Sequence, residues 1–543
     1  MSLLLQHWAD NVAQLRPDSV AIVANNETMT YGELASLSNR IAQALVASNC
    51  KAGDRVCLLM PKSPLAIACI LGIYKADCIY VPLDPANPVA RLAKIVESCE
   101  SRCLLTVGEM AEKVDSLFQF DELRSKNIIG WLDQHKAARS SPVQDFSMAD
   151  VLLCEDKERT TTNTTDSPAH ILFTSGSTGE PKGVVITHAN VILFVRWAVK
   201  YFSMTPQDRV SGHSPLHFDL SMYDIFGAQA AGCQLHLVSN ELSLLPHKLA
   251  QWMRDSQLTQ WFSVPALLNY LCKFDAVKQD DFPAMKRLLW CGEVLPTPTL
   301  QYFMQKLPHV KFTNLYGPTE TTIASSYYTV PQCPTDARQQ IPIGRACPGE
   351  ELLVLDDATL QPQPFGTEGG LYIRGGSLAK GYWRDADKTR AVFIKGPRID
   401  GHEGLLYKTG DRAKKERDGL IYYLGRNDMQ IKSRGYRIDL GEIEAALSTL
   451  DYVRESCIVA VPDDSFATFT ICCAYVMPSA TTTDPALTPV QLRTDLLKLV
   501  PNYMIPSQWH ALARLPRNAN GKIDRRLVKE MFTPNATAAR RQA

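Results

Sequence analysis

The chain has 543 residues, 45% of them hydrophobic and 21% charged, with Lys+Arg and Asp+Glu balanced at 57 each. That length and composition describe a globular protein with enough chain for roughly three to four domains. Zero net charge excludes a broad basic field for nucleic acid or an anionic membrane, but leaves room for a local small-anion site.

The N-terminus, MSLLLQHWADNVAQL, lacks a basic segment followed by a long apolar core, so no signal peptide is predicted and a cytoplasmic location is expected. The 15 cysteines are odd in number and show no paired CxxC spacing; Cys472 and Cys473 are adjacent. Buried free thiols, rather than disulfides or a zinc site, are the expected state. Runs at 21–23, 55–60 and 79–83 read as strands, and 34–47 and 63–75 as helices. The most apolar run, 65–74, is too short to cross a bilayer and is closed by Lys75 and Asp77. This alternation predicts a mainly parallel, layered α/β body.

The polar stretch 155–168 (EDKERTTTNTTDSP) reads as a surface loop. Directly after it, Ile171, Leu172 and Phe173 read as a strand feeding the string TSGSTGEPKG at 174–183. Its glycines let backbone N–H groups approach a polyphosphate, and Lys182 adds positive charge. A Walker loop is disfavoured, because no Ser or Thr follows a Gly-Lys pair. The bland alternative is a flexible surface turn.

Further on, 314–320 (NLYGPTE) follows an apolar run ending at Phe312, so it sits at a strand end, where ligands of open α/β sheets gather. Tyr316 offers a flat face for stacking. A carboxylate such as Glu320 beside a polyphosphate makes sense chiefly with a divalent cation between them. Asp219, in FDLS at 218–221, needs a cation if buried; the alternative is a cap for a helix over 222–229. Beyond 425–434 (GRNDMQIKSR) the patterns shorten. A helix at 441–450, strands at 457–461 and 468–477, and a helix at 492–499 predict a small α+β domain. The expected division is 1–427, 428–532 and a frayed tail, 533–543.

Taken in order, MTYGEL (29–34), YVPLDP (80–85), TSGSTGEPKG, FDLS, NLYGPTE, YKTGDR (407–412), GRND (425–428) and NGK (520–522) resemble the adenylate-forming (ANL) superfamily. Within it, the chain is similar to the amino-acid adenylation enzymes of nonribosomal peptide synthesis, over nearly its whole length. The resemblance implies a large multi-subdomain N-terminal adenylation domain and a smaller mobile C-terminal one. It implies an ATP- and Mg2+-dependent ligase that makes an aminoacyl-AMP and loads it onto a phosphopantetheine carrier. Since the chain ends soon after Lys522, a separate carrier protein is the expected acceptor.

The same resemblance distributes the roles. Thr174, Ser175, Gly176, Ser177, Thr178, Gly179 and Lys182 would hold phosphates, and Thr319 would assist. Asn314 would contact the adenine amino group, Tyr316 would stack, and Asp411 would bind the ribose, with Arg426 near it. Glu320 would hold the metal. Asp219 would pair with the substrate ammonium, inside walls formed by Leu220, Tyr223, Ser263, Leu289, Cys291, Leu315, Ile323 and Ala324. Those walls carry no charged group, so charged side chains are disfavoured. The set resembles ligases that load proline; cysteine, alanine and threonine stay open. Lys522 would bridge the substrate carboxylate and the α-phosphate, Asp428 would be the hinge, and Gly435 would face the pantetheine tunnel. Two other readings are an acyl- or aryl-CoA synthetase, which generally lacks the Asp at 219, and an inactive relative, which would lack Lys522, Glu320 or Asp411.

Overall fold

The computed structural model describes residues 3–25, 27–119, 121–133, 145–176, 180–397, 403–426, 429–463, 468–477, 489–518 and 523–533. Ser177, Thr178, Gly179, Asp428, Lys522 and nearly all of the expected tail lie outside the described residues. The chain divides into two compact units: Met1–Pro85, Val96–Phe173 and Gly183–Asn427 in one, and Ala86–Ile95, Thr174–Lys182 and Asp428–Ala543 in the other. Two short segments that a contiguous division at 427/428 leaves with the larger unit thus group with the smaller.

Among the described residues the larger unit holds three sheets. The first runs, in order, Arg345–Ala346, Ser326–Thr329, Lys311–Tyr316, Arg287–Trp290, Gln260–Ser263, Arg209–Gly212, Gln234–Leu237, Val20–Ala24 and Glu27–Thr30. Its centre is parallel and both edges turn antiparallel. The second runs Phe146–Ser147, Ile128–Trp131, Cys103–Thr106, Arg55–Leu59, Ile79–Pro82, Pro168–Thr174 and Lys182–Thr187. One apolar cluster joins both sheets through the helices Gln6–Leu15, Tyr31–Ala47, Pro64–Lys75, His188–Tyr201 and Leu220–Ala231. Parallel strands need such crossover helices, and helices on the faces bury them. The third sheet is antiparallel and pairs Leu405–Lys415 with Glu368–Gly375, Phe393–Lys395 and Ile421–Arg426.

Capping fixes where helices begin. The helix Tyr31–Ala47 starts three residues before the apolar periodicity does, because Thr30 and Glu33 form a reciprocal capping box. Ser63 caps Pro64–Lys75, with Pro64 at the first helical position. The polar stretch after Leu153 is a loop, as its composition predicts, but an anchored one: the Asp77 carboxylate accepts from Thr161, Thr162 and Asn163. The cysteines are free thiols, most of them buried. Among the described residues no helix is long and apolar enough to cross a membrane.

The smaller unit has a hairpin, Gln430–Ser433 with Tyr436–Asp439, and a sheet of Glu455–Asp463, Thr468–Val476 and Gln508–Ala511. The helices Leu440–Ser448 and Pro489–Leu496 pack on it. The hairpin turns on two residues, Arg434 and Gly435, with φ of +55° and +84°. A two-residue loop with both φ positive matches the strand twist, and glycine adopts its second position without strain.

Candidate active site

In the larger unit, antiparallel pairing sets Asp411 directly opposite Arg426. The Arg426 guanidinium donates to Asp411 Oδ1 at 2.6 Å and to the Thr409 carbonyl at 3.1 Å. The other carboxylate oxygen accepts the Tyr316 hydroxyl. Both charged side chains are almost fully buried, so each supplies the partner that the other needs. Burial and the neighbouring Asp411 charge push the Tyr316 phenol well above its ordinary range, so it stays a neutral donor. Tyr316 is therefore held by its edge while its ring stands tilted to Tyr423, at 6.3 Å between centroids. Asn314, two residues earlier on the same strand, donates to the Pro342 carbonyl at 2.9 Å.

Glu320 follows that strand in a short 3-10 turn, Thr319–Thr321, and is fully buried. Tyr382 donates its hydroxyl to Glu320 Oε1 at 2.7 Å. Among the described residues no cluster of three or more acidic, His or Cys side chains could cage a metal alone. A single buried carboxylate fits Mg2+, which keeps its waters and shares its shell with substrate phosphates.

The backbone after Glu320 is strained. Thr322 and Ile323 have φ of +55° and +69°, which is exceptional for β-branched residues and costs on the order of 1–3 kcal/mol each. The Thr322 hydroxyl donates to the Ser377 carbonyl at 2.8 Å. Ser377 in turn donates its N–H (2.9 Å) and hydroxyl (2.6 Å) to Glu350. Burial pushes the Glu350 carboxyl up to about 7, and the Ser377 donors oppose it. Ser377 and Tyr382 both lie in the string YIRGGSLAKGYW at 372–383, which gives no hint that Glu350 and Glu320 are their partners.

Asp219 occupies the N-cap position of Leu220–Ala231, yet its own φ and ψ are helical and its side chain makes no capping hydrogen bond. The capping alternative for this carboxylate is not what the helix uses. Leu220, Tyr223, Leu289, Cys291, Leu315, Ile323 and Ala324 are all buried in one continuous apolar cluster. The Tyr223 hydroxyl is engaged by Gln260 at 3.2 Å and by Met204 Sδ at 3.3 Å. Ser263 is different. It pairs in register with Trp290, while Phe262 pairs with Leu289, so the pleat turns Ser263 to the opposite face. There it accepts the Trp261 indole N–H at 2.9 Å. Of the eight expected walls, Ser263 is the one outside the Leu289 cluster, which Phe262 of the same strand joins.

In the smaller unit, Thr174 closes the strand before the glycine-rich loop, and its buried hydroxyl oxygen has no hydrogen-bond partner among the described residues. Ser175 donates to the Arg437 carbonyl at 2.6 Å. The Gly176 N–H donates to Glu442 Oε2 at 3.2 Å, and Arg91 pairs with the other oxygen. A Cβ at Gly176 would collide with the Glu180 carbonyl. This N–H thus already holds an anionic oxygen, the chemistry that a phosphate loop requires. Lys182 opens the following strand, Lys182–Thr187.

Residues 9–383 match the family model described as AMP-binding enzyme, and 442–522 match the AMP-binding enzyme C-terminal domain. The chain therefore belongs to the AMP-binding enzyme family, whose members are ATP-dependent, adenylate-forming ligases. It is 33% identical over 526 residues to a dimodular nonribosomal peptide synthase of Bacillus subtilis (strain 168), covering 96% of this chain and 21% of that protein. It is 34% identical over 536 residues to the anguibactin system regulator of Vibrio anguillarum, covering 97% and 48%. The chain thus spans less than half the length of these relatives. Among solved structures, the Vibrio cholerae adenylation domain AlmE, in complex with glycyl-adenosine-5'-phosphate, superposes with a TM-score of 0.83 at 24% identity, covering 97% of each chain. Holo-PA1221, which contains adenylation and PCP domains, gives 0.78 at 25% identity, over 97% of this chain and 84% of that one.

Proposed function

We propose that this enzyme activates a small amino acid, L-proline in the first instance, as its aminoacyl-AMP and transfers it to the phosphopantetheine thiol of a carrier protein. The observation that carries the reading is Asp219: a carboxylate at a helix start that the helix does not use, next to buried apolar walls. Asp219 is half-buried, and a substrate ammonium can pair with such a carboxylate where a carboxylic acid without an amino group cannot. The engaged Tyr223 hydroxyl leaves the walls apolar, which suits a pyrrolidine ring better than a polar side chain.

The chemistry needs little acid–base help. The substrate carboxylate is ionised at neutral pH and attacks the α-phosphorus directly, with pyrophosphate leaving. Both partners are anionic, so charge neutralisation and alignment set the rate. Asp219 orients the amino end. Lys522 meets the carboxylate and the α-phosphate. Asp411, steadied by Arg426 and Tyr316, takes the ribose hydroxyls. Glu320 would hold Mg2+, which supplies positive charge to the phosphates. In the second half-reaction the thiol displaces AMP from the acyl carbon; movement about Asp428 would turn the hairpin tip at Gly435 toward the incoming arm.

ATP–pyrophosphate exchange across the twenty common amino acids and a set of fatty and aryl acids tests this. Proline is expected to lead. Glycine or a long-chain acid exceeding it by about tenfold or more would overturn the substrate assignment, given how little a single methylene discriminates.

A further inference from the structure

The segment 213–219 leaves the central strand Arg209–Gly212 of the first sheet and ends in Asp219. It is pinned near its start by a lysine from the other parallel sheet. Lys62, just beyond the strand Arg55–Leu59, places its ammonium 2.5 Å from the Gly212 carbonyl, 2.7 Å from that of His213 and 3.4 Å from that of Ser214. Three donors on three consecutive carbonyls fix the direction in which the chain leaves its strand.

Two further side chains hold the same segment. Asp224, one turn into the helix that Asp219 precedes, accepts the Ser214 N–H at 3.3 Å. Asp84, beyond the strand Ile79–Pro82, lies 3.5 Å from His217. Segment and helix are thus tied to each other and to the carboxyl ends of two neighbouring strands of the second sheet. Ligands of parallel sheets gather at such ends. Burial lowers the Lys62 ammonium to about 8 and raises the Asp224 carboxyl to about 8, and each charge opposes the other's shift.

Resting on the amino-acid reading of Asp219, we infer that Lys62 is a positioning residue for substrate ammonium recognition: its contacts to 212–214 hold the segment that aims the Asp219 carboxylate. Lys62 itself does not touch substrate, since its donors are spent on main-chain carbonyls. Its loss should therefore weaken amino-acid binding and leave nucleotide binding alone.

The test is pyrophosphate exchange by the whole chain with Lys62→Met, varying amino acid and ATP separately. A charge-assisted hydrogen-bond set is worth on the order of a tenfold change, so the amino-acid KM should rise by about tenfold or more while the ATP KM stays within about twofold. Lys62→Gln keeps two N–H donors and should fall between wild type and Lys62→Met; it is read by the same criterion if the methionine variant does not fold. An amino-acid KM within about twofold of wild type, or equal rises in both KM values, overturns the inference, even if the thermal midpoint falls. Wild-type enzyme without amino-acid-dependent exchange would instead overturn the reading of Asp219 itself.

Discussion

The residues proposed for the nucleotide and those proposed for the amino acid, both in the larger unit, are prepared in opposite ways. Asp411, Arg426 and Tyr316 are already bonded to one another, and Glu320 is held by Tyr382. Around Asp219 the structure supplies an apolar cluster and a firmly held chain segment, but no cap. A nucleotide that is the same in every turnover can be met by groups fixed by mutual contacts. An amino-acid site, on the proposed reading, has to offer one carboxylate to the substrate, and it takes selectivity from shape. Between the two sets lies the strained pair Thr322–Ile323, which joins Glu320 in sequence to the proposed walls Ile323 and Ala324.

That contrast predicts separable defects. The largest effect is expected outside it: Lys522, which on the proposed reading serves both substrates, should when changed to Ala lower kcat for adenylation by about 1,000-fold, with kcat/KM falling alike for amino acid and ATP in steady-state exchange. Asp219→Asn should raise the amino-acid KM by about 100-fold and the ATP KM by less than about twofold, because an ammonium is left without its carboxylate. Parallel increases in both constants would break the comparison. Asp411→Asn should do the reverse, raising the ATP KM by about tenfold, since Arg426 is then buried without its partner charge.

The smallest effect concerns the joint between the regions. Glu350 is raised from 4.5 to about 7, so between those pH values the folded state binds more protons than the unfolded one. Its contribution to stability is therefore greatest at low pH and is lost as pH rises through that window. Glu350→Gln should remove this slope, gaining about a degree or two in Tm relative to wild type at pH 8 over pH 5 in paired thermal melts. A difference between variant and wild type that does not change with pH would mean that Glu350 is not the titrating group.

The residues proposed for the nucleotide stand out in the sequence, since 314–320 and 407–412 are short continuous strings. It does not reveal their pairing. Asp411 meets Arg426 only because Leu405–Lys415 and Ile421–Arg426 fold back in one particular register. Strand positions were legible from β-branched runs, and helix starts were off where a cap lay outside the apolar pattern, as at Thr30. The expected helix at 492–499 is Pro489–Leu496, displaced toward the proline that opens it. Pocket walls are harder, because they come from several elements and a pleat alternates faces. Ser263 and Phe262 are neighbours in sequence and opposite in direction. Lys62 was invisible to any motif; its meaning is set by three carbonyls about 150 residues away.

The most direct test compares the amino acid that best supports exchange with the same acid carrying hydrogen, or ring oxygen for proline, in place of its amino group. Wild-type enzyme should favour the amino acid by about 100-fold, and Asp219→Ala should erase most of that preference. Equal use of the two acids by the wild-type enzyme would contradict the assignment of Asp219 to a substrate ammonium.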